Sequence, residues 1–324
     1  MGLKLVSMAP LPAPFFEHVM KQNGISDVTV VDVSTATEDA VVAAVADADF
    51  IIGDFTFRNR ITKRVAQAAK KVRLIQQPSV GYQHIDVDAC KEAGIKVANC
   101  AGANTVSVAE HTIMLALALL KKAAIAHNTT SAGEWKQMEL MPAEMSGKTW
   151  GIVGMGRIGR ALAARLVPFG VKIIYSDPIR LDAAVEAQLG LEFAELPGLL
   201  RSADIISLHC PLTPETEGLI GAESIATMKQ NAVIINVARG EVIDEGALAA
   251  ALKAKKIGGA GIDVFAEEPA RPGCPLLQLS GENIILSPHI AGVTAESKMR
   301  IMGMSMNNLV RVMKGGEPEN VING

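Results

Sequence analysis

The stretch Thr149–Leu166, TWGIVGMGRIGRALAARL, decides the fold of this 324-residue chain. It places Gly154-x-Gly156-x-x-Gly159 directly after an apolar, strand-like run and directly before a helical pattern. A bare GxGxxG is weak evidence, but in this context each glycine has a physical reason. The first permits a tight turn, the second lets the backbone approach a pyrophosphate, and the third lets the helix pack closely on the strand. Since the helix N-terminus favours an anion, the stretch predicts a dinucleotide-binding β-α-β unit.

The next strand-like run, KIIYSD, ends in Asp177. An acid at this point after the glycines accepts hydrogen bonds from the adenosine ribose hydroxyls and repels a 2′-phosphate. Asp177 therefore favours NAD over NADP, although Arg180 close by weakens that preference slightly. The alternative interpretation is a glycine-rich turn followed by a surface aspartate, with no cofactor.

Short aliphatic runs alternate with helix-like segments along almost the whole chain. The runs before the glycine motif are LKLVSM, VTVVDV, FIIGD, RLIQQ and IKVAN, and those from the motif onward are TWGIVG, KIIYSD, DIISLH, AVIINV, GGAGIDV and NIILS. A long helical candidate, SVAEHTIMLALALLKKAAIAHN, separates the two sets, and AESKMRIMGMSMNNLVRVMKGG near the end has the pattern of an amphipathic helix. This alternation predicts an α/β protein with two modules in series, each built on a parallel sheet.

Composition argues against several other classes of protein. A net charge of −3 gives no electrostatic reason to bind nucleic acid or an acidic membrane. The apolar run TIMLALALL is far shorter than a membrane span, and LKLVSM is too short for the core of a signal peptide. The four cysteines, Cys90, Cys100, Cys210 and Cys274, lack metal-type CxxC spacing. We therefore expect a cytoplasmic protein with buried free thiols and no metal, membrane or nucleic-acid partner.

Three further strand-like runs are each followed by a charged or titratable residue. Arg239 follows AVIINV, Glu268 follows GAGIDV, and His289 follows NIIL. Taken singly, these are typical of a solvated arginine, an acidic turn and a structural histidine. Because loops beyond the carboxyl ends of parallel strands border the ligand crevice, the three residues could instead converge on one nicotinamide.

These residue types suit hydride transfer coupled to proton transfer. A histidine can donate or accept the proton near neutral pH. A carboxylate beside it favours the imidazolium form and fixes the ring, and an arginine can grip a carboxylate or polarise a carbonyl. The set therefore predicts an oxidoreductase with His289 as its proton donor and acceptor.

With these motifs, the chain resembles the D-isomer-specific 2-hydroxyacid dehydrogenases, which act on D-lactate, D-glycerate, glyoxylate or hydroxypyruvate, and 3-phosphoglycerate. The likeness covers nearly the whole chain and includes GYQHIDVDACKEAGIKVANCAGANTVSVAEHTIMLAL, GKTWGIVGMGRIGRALA, DIISLHCPLTPETEGLI, NAVIINVARGEVIDEGAL, GIDVFAEEP and SPHIAG. The resemblance implies two doubly wound parallel-sheet domains. A flavodoxin-like substrate domain would take residues 1–100 and 290–324, and an inserted Rossmann NAD-binding domain would take residues 101–289. It also implies a homodimer, with SVAEHTIMLALALL as an interface and hinge helix in which His111 is structural.

The resemblance also implies roles for individual residues. Arg239 would bind and orient the substrate, His289 would be the acid/base, and Glu268, not Glu267, would be its partner. The substrate-binding set would be Ser79, Val80, Gly81, Arg239 and His289, with N–H groups of the Ser79–Gly81 loop facing the substrate carboxylate. Asp263 would approach the nicotinamide amide, and HCPLT would lie on the nicotinamide side. The implied cofactor-binding set is Gly154, Gly156, Arg157, Ile158, Gly159, Asp177, Pro211, Thr216, Ala238, Asp263 and His289.

The chain departs from the family pattern at several points that bear on the substrate. Ser79 replaces the first glycine of the substrate loop, and its side chain could narrow the pocket or bond the substrate. Phe57 stands near the place of an arginine found in phosphoglycerate members, while Arg58 and Arg60 are out of that register. We expect no C-terminal regulatory domain. These features favour a substrate other than 3-phosphoglycerate. Trp135 resembles a family tryptophan, for which we expect core or interface packing.

Two alternatives stay open at this point. Formate dehydrogenases share the fold but carry a glutamine in place of the carboxylate partner, so Glu268 argues against that chemistry. An NAD(H)-sensing binding protein, similar to the corepressor members of the family and with little turnover, could keep the same residues. The compact length and the lack of a polar low-complexity tail favour the enzyme.

Overall fold

The computed structural model describes residues 2–279 and 283–324. The chain divides into two compact units, the first formed by Met1–Asn104 and Ala295–Gly324 and the second by Thr105–Thr294. Each unit contains its own sheet, and every strand pair in both sheets is parallel. The prediction of two doubly wound parallel-sheet domains is confirmed.

Helices and strands alternate along the chain as the sequence pattern predicts. The strands are β1 (Leu3–Ser7), β2 (Val28–Asp32), β3 (Phe50–Ile52), β4 (Leu74–Gln76), β5 (Lys96–Ala98), β6 (Thr149–Val153), β7 (Lys172–Ser176), β8 (Leu191–Phe193), β9 (Ile205–Leu208), β10 (Val233–Asn236), β11 (Gly259–Ile262) and β12 (Ile284–Leu286). The helices are α1 (Ala13–Gln22), α2 (Glu38–Val45), α3 (Lys63–Ala68), α4 (Val87–Glu92), α5 (Thr105–Leu120), α6 (Ala123–Ser131), α7 (Arg157–Leu166), α8 (Ala183–Leu189), α9 (Leu196–Ser202), α10 (Ala222–Ala226), α11 (Glu245–Lys253) and α12 (Ala295–Met313).

The first unit has the strand order β2-β1-β3-β4-β5, which is that of flavodoxin-like folds. Successive side chains of a strand point to opposite faces, so Ile51 joins one apolar cluster while Phe50 joins another. Helices on both faces bury these clusters. The last helix, α12, is tied to β4 by the side-chain amide of Asn308, which donates to Oε1 of Gln76 at 2.7 Å.

The second unit has the strand order β12-β11-β10-β9-β6-β7-β8. The chain moves outward from β6 to β8 on one side and then returns to place β9 on the other side of β6. Ligand crevices of doubly wound sheets lie at such a switch point, beyond the carboxyl ends of the strands. The glycine turn after β6 and the loops after β9 to β12 therefore share one edge of the sheet.

Three features of the fold differ from the sequence-based expectation. Strand β8 is absent from the predicted set because its central residue, Glu192, interrupts the aliphatic run that marks the other short strands. The long predicted helix is two helices, α5 and α6, because Lys122 adopts a left-handed backbone with φ +50°. Trp135 has 79% of its surface exposed, so core packing is wrong for this residue, and interface packing stays a prediction.

The cysteines are all free, but the expectation that all are buried is wrong for two of them. Cys90 and Cys100 are buried, whereas Cys210 and Cys274 are partly exposed. Among the described residues, no helix is long and apolar enough to cross a membrane. The same residues contain no group of three or more His, Cys, Asp or Glu side chains arranged to hold a metal ion.

Candidate active site

The turn after β6 requires glycine at two positions. Gly154 has φ +95°, and a Cβ there would lie 2.7 Å from the backbone N of Cys210 and the backbone C of His209. A Cβ at Gly159 would lie 2.3 Å from the carbonyl oxygen of Gly154. Side chains at either position would force the strand, the turn and α7 apart. The two glycines therefore hold the start of α7 against the end of β6.

Gly156 differs from these two because the space beside it is open. A Cβ built there meets no heavy atom within 4 Å. Gly156 is also the N-cap of α7, and no side chain caps this end of the helix. The N–H groups of the first turn, which includes Arg157 and Ile158, are thus left for an anion. An open cradle above an uncapped helix end fits the pyrophosphate of a dinucleotide.

Asp177 lies just beyond the end of β7 and is bonded to the glycine turn. Its Oδ2 accepts the N–H of Met155 at 2.7 Å, and its Oδ1 accepts the N–H of Ile179 at 2.9 Å. Each carboxylate oxygen can accept a second hydrogen bond, so the group can still receive ribose hydroxyls. Arg180 is held in a two-point ion pair with Glu186, with N–O distances of 2.9 and 3.0 Å.

The loop after β9 borders the same turn and is fixed by Thr216. The Thr216 hydroxyl donates to the carbonyl of Pro211 at 2.6 Å and accepts the N–H of Thr213 at 2.8 Å. Within this loop His209 has its Nε2 3.0 Å from the hydroxyl of Ser207. Burial lowers the pKa of His209 to about 3, so the ring stays neutral and adds no charge beside the turn.

Glu268 and His289 form the clearest constellation of the second unit. Oε2 of Glu268 lies 2.6 Å from Nδ1 of His289, and Oε1 accepts the N–H of Phe265 at 3.0 Å. Burial raises the pKa of the Glu268 carboxyl. Hydrogen bonds from His289 and Phe265 and the charge of Arg239 together lower this pKa by more than burial raises it, so the pKa lies below its usual value. The imidazole is therefore paired with an ionised carboxylate.

Arg239 lies close enough for its charge to lower the pKa of Glu268, because its loop packs directly on the loop after β11. Its Nη1 donates to the carbonyl of Ala238 at 2.6 Å. A Cβ at Gly240 would lie 1.9 Å from the backbone C of Phe265, so only glycine allows this approach. Asn236, buried at the end of β10, shapes the loop from inside. Its amide donates to the carbonyl of Arg239 at 2.8 Å and its Oδ1 accepts the N–H of Ala238 at 3.0 Å. The sequence pattern identified Arg239 and Ala238, but not Gly240 or Asn236.

Asp263 lies at the end of β11 with only 1% of its surface exposed. Its Oδ1 accepts the hydroxyl of Ser287 at 2.5 Å and the N–H of Ile290 at 2.9 Å, and its Oδ2 accepts the N–H of Ala291 at 2.8 Å. Its carbonyl accepts the N–H of His289 at 2.7 Å. His289 has a left-handed backbone, with φ +53°. The backbone bonds to Asp263 are made by His289 itself and by the two residues that follow it. Asp263 thus fixes the loop that carries the imidazole, and its approach to a nicotinamide amide stays a prediction.

His111 extends this network from α5. Its Nε2 lies 3.1 Å from the hydroxyl of Ser287. Because that hydroxyl donates its one proton to Asp263, the His111 ring must donate to Ser287. His111 therefore has a structural position, as the sequence interpretation expected, but it lies directly behind the His289 loop. Ser287 could have been suspected from its place two residues before His289, whereas its bond to α5 has no sequence signal.

In the Ser79–Gly81 loop of the first unit, all three backbone carbonyls accept hydrogen bonds. The carbonyl of Ser79 accepts the N–H of Cys100 at 3.0 Å, that of Val80 accepts the amide of Asn99 at 2.8 Å, and that of Gly81 accepts the Ser79 hydroxyl at 2.7 Å. Within residues 2–279 and 283–324, no hydrogen bond is donated by the N–H groups of Val80 and Gly81. The loop can thus offer two N–H groups to an anion.

Comparison with known proteins shows the family to which this chain belongs. Residues 113–291 match the family described as D-isomer specific 2-hydroxyacid dehydrogenase, NAD binding domain. The chain belongs to this family. Since the matching region is its NAD-binding domain and contains the glycine turn, Asp177 and the Glu268–His289 pair, the cofactor is NAD and the protein is an NAD-dependent 2-hydroxyacid dehydrogenase.

Similar proteins in this dehydrogenase family have several named activities. A glyoxylate reductase of Korarchaeum cryptofilum is 38% identical over 90% of this chain and 88% of its own length. A D-3-phosphoglycerate dehydrogenase of Archaeoglobus fulgidus is 33% identical over 99% of this chain, which spans only 59% of that relative. The structure of a D-lactate dehydrogenase from Aquifex aeolicus with NAD and lactic acid is 30% identical, covers 99% of both chains and has a TM-score of 0.86.

Proposed function

We propose that this dehydrogenase interconverts a 2-oxo acid and a D-2-hydroxy acid, with His289 as the acid/base, Glu268 as its partner and Arg239 as a substrate-binding residue. The observation that carries the proposal is the 2.6 Å contact between Nδ1 of His289 and the Glu268 carboxylate. This contact leaves the other ring nitrogen, Nε2, for the substrate. In the described part of the chain, Nε2 has no hydrogen-bond partner, and 40% of the side-chain surface is exposed.

NAD supplies the hydride acceptor for oxidation and, in its reduced form, the hydride donor for reduction. His289 donates a proton to the carbonyl oxygen of the 2-oxo acid, or takes one from the hydroxyl in the reverse direction. Glu268 stabilises the imidazolium through its negative charge and keeps the ring in one orientation. The Asp263 bonds to the backbone around His289 restrict the ring further.

The substrate carboxylate needs donors that cannot lose their charge or orientation. Arg239 suits this role because its guanidinium is planar and always protonated. In the first unit, the N–H groups of Val80 and Gly81 suit a carboxylate for the reason given above. The Ser79 hydroxyl is already bonded to the Gly81 carbonyl, so we propose that Ser79 shapes the loop.

We also propose that the protein is a cytoplasmic homodimer. The second unit exposes three apolar side chains within one segment, with 79% of Trp135, 77% of Met138 and 72% of Met141 accessible. Burial of such side chains against a second copy would remove apolar surface from water. Light scattering after gel filtration tests this, with Trp135→Ser expected to weaken a dimer. The free thiols support the location, because reducing compartments keep cysteines unpaired.

The experiment that tests the proposed reaction is a steady-state panel with NADH. The panel contains glyoxylate, hydroxypyruvate, pyruvate, branched and aromatic 2-oxo acids, and 3-phosphohydroxypyruvate. We expect NADH oxidation with at least one acid and a product of D configuration by chiral chromatography. An L product would contradict the proposal. If NADH binds but no acid is reduced, the NAD(H)-sensing alternative is favoured instead.

A further inference from the structure

We propose that His111 is a positioning residue for the reaction, and that it holds the backbone that carries His289 through two side chains in series, Ser287 and Asp263. The inference rests on the proposed function, because it takes His289 as the acid/base. It adds a residue of α5 that acts through others, and it predicts an effect on the chemical step.

The loop that carries His289 needs bonds from outside itself to keep its shape. The backbone of His289 has φ +53°, in the left-handed region that residues with a Cβ disfavour. Asp263 supplies these bonds. Its carbonyl accepts the N–H of His289 at 2.7 Å, and its carboxylate accepts the N–H of Ile290 at 2.9 Å and that of Ala291 at 2.8 Å. The direction of the Asp263 side chain therefore affects the position of the imidazole.

Ser287 connects this buried carboxylate to α5. Its hydroxyl donates to Oδ1 of Asp263 at 2.5 Å. Among the described residues, the donors within hydrogen-bond distance of the carboxylate all belong to residues 287–291. The carboxylate and the loop could therefore turn together if nothing outside them fixed Ser287.

His111 provides that outside contact. Its Nε2 lies 3.1 Å from the Ser287 hydroxyl and 3.6 Å from Oδ1 of Asp263, and 13% of its side-chain surface is exposed. Burial lowers the pKa of His111 against the opposing charge of Asp263, so the ring is neutral near pH 7. A neutral ring carries one N–H, and because the Ser287 hydroxyl already donates to Asp263, this N–H is on Nε2. The three groups thus form a series that runs from N–H to O–H to carboxylate.

The helix α5 is a firm support for this series. It packs directly on β11, because a Cβ at Gly261 would lie 3.1 Å from the Cβ of Leu115. Leu115 is fully buried and lies four positions after His111, on the same face of the helix. His111 therefore donates from a helix that is already fixed against the strand ending beside Asp263.

Loss of the His111 N–H should reach the reaction through the imidazole of His289. Hydrogen bonds in a buried series polarise one another, so the bond from Ser287 to Asp263 weakens when Ser287 loses its own donor. A small displacement of an acid/base group slows proton transfer more than it weakens binding. The groups proposed to bind the substrate carboxylate in the first unit and the pyrophosphate at the glycine turn are unchanged. We therefore expect an effect on kcat rather than on KM.

The test measures kcat and KM with NADH for the acid of the panel that is reduced fastest, and the Kd of NADH by fluorescence titration. His111→Leu should lower kcat by about tenfold, with less than about a threefold change in KM and in Kd. His111→Gln, which keeps an N–H donor, should retain most of the wild-type kcat. When His111→Leu is combined with Ser287→Ala, kcat should fall no further than in the slower single variant, because both changes interrupt one series. His111→Asn, whose amide is too short to reach Ser287, replaces the leucine variant if that protein does not fold.

Thr112→Val is the matched control on the same helix. Thr112 is fully buried and donates its hydroxyl to the carbonyl of Val108 at 2.7 Å. This variant should keep kcat within about twofold of the wild type, whatever its thermal midpoint. A similar fall in kcat for Thr112→Val and His111→Leu would overturn the inference, as would near-normal kcat in His111→Leu or multiplied effects in the double variant. These outcomes leave the proposed function standing, whereas near-normal turnover in His289→Ala would overturn both.

Discussion

The Glu268 carboxylate bridges the His289 ring and its own loop: Oε2 lies 2.6 Å from Nδ1 of His289, and Oε1 lies 3.0 Å from the N of Phe265. Each oxygen therefore has a defined partner, and the carboxylate cannot rotate without breaking a bond. Because the Phe265 bond belongs to the loop after β11, the ring of His289 is oriented by the neighbouring strand end. A substitution that keeps the shape of the Glu268 side chain can therefore test the effect of its charge alone.

Glu268→Gln keeps the shape of this side chain and removes its charge. We expect kcat/KM for 2-oxo acid reduction to fall by about tenfold to a hundredfold, because the imidazolium of His289 loses its stabilising anion. Steady-state assays with NADH measure this fall. An unchanged kcat/KM would mean that the charge of Glu268 does not act on the proton that His289 transfers.

His289→Ala removes the proposed proton donor itself. Turnover should fall by at least about a hundredfold, the usual size of an acid/base contribution, while NADH still binds. Fluorescence titration with NADH provides the binding readout, because the glycine turn and Asp177 are unaltered. Ser287→Ala serves as a comparison, since it removes one hydrogen bond to Asp263 but keeps the imidazole of His289. If His289→Ala retains near-normal turnover, the residue has no part in the mechanism.

Asp177 is expected to set the preference for NAD. Asp177→Ala should lower the ratio of kcat/KM with NADH to that with NADPH, because it removes the charge that repels a 2′-phosphate. The same change also removes the acceptor of the Met155 N–H in the glycine turn. Asp177→Asn keeps an acceptor for this N–H, so it tests the loss of charge while the turn stays hydrogen-bonded. Unchanged affinity for both cofactors in both variants would show that the ribose assignment is wrong.

Periodicity and glycine spacing were sufficient to predict most of the fold. Alternating aliphatic runs gave both parallel sheets, because buried parallel strands are apolar and their crossovers are helices. Strand β8 and the break between α5 and α6 were missed. Glu192 interrupts the aliphatic run of β8, and the break depends on the backbone of Lys122. Local sequence carries little information about either.

The candidate site was predictable in part for the same reason. Arg239, Glu268 and His289 could be proposed because each follows a strand-like run, and strand ends of one sheet share an edge. The residues that hold these three side chains in place could not be predicted. The bond between His111 and Ser287 joins residues 176 positions apart and requires the tertiary fold. The packing of Gly240 on Phe265 likewise depends on how two loops meet, which no spacing in the sequence encodes.

His84 should make the stability of the protein depend on pH between about 4 and 6.5. Burial lowers its pKa from 6.5 to about 4 in the folded chain, so in this window the unfolded chain binds a proton that the folded chain does not. Stability then rises with pH, and at pH 5 this histidine should cost about 2 kcal/mol of unfolding free energy. His84→Leu removes that contribution, so its thermal midpoint should fall less than that of the wild type between pH 7.5 and 5. His18→Leu, at an exposed position of the same unit, should show the wild-type loss. Equal losses in all three proteins would mean that His84 is protonated in the folded state.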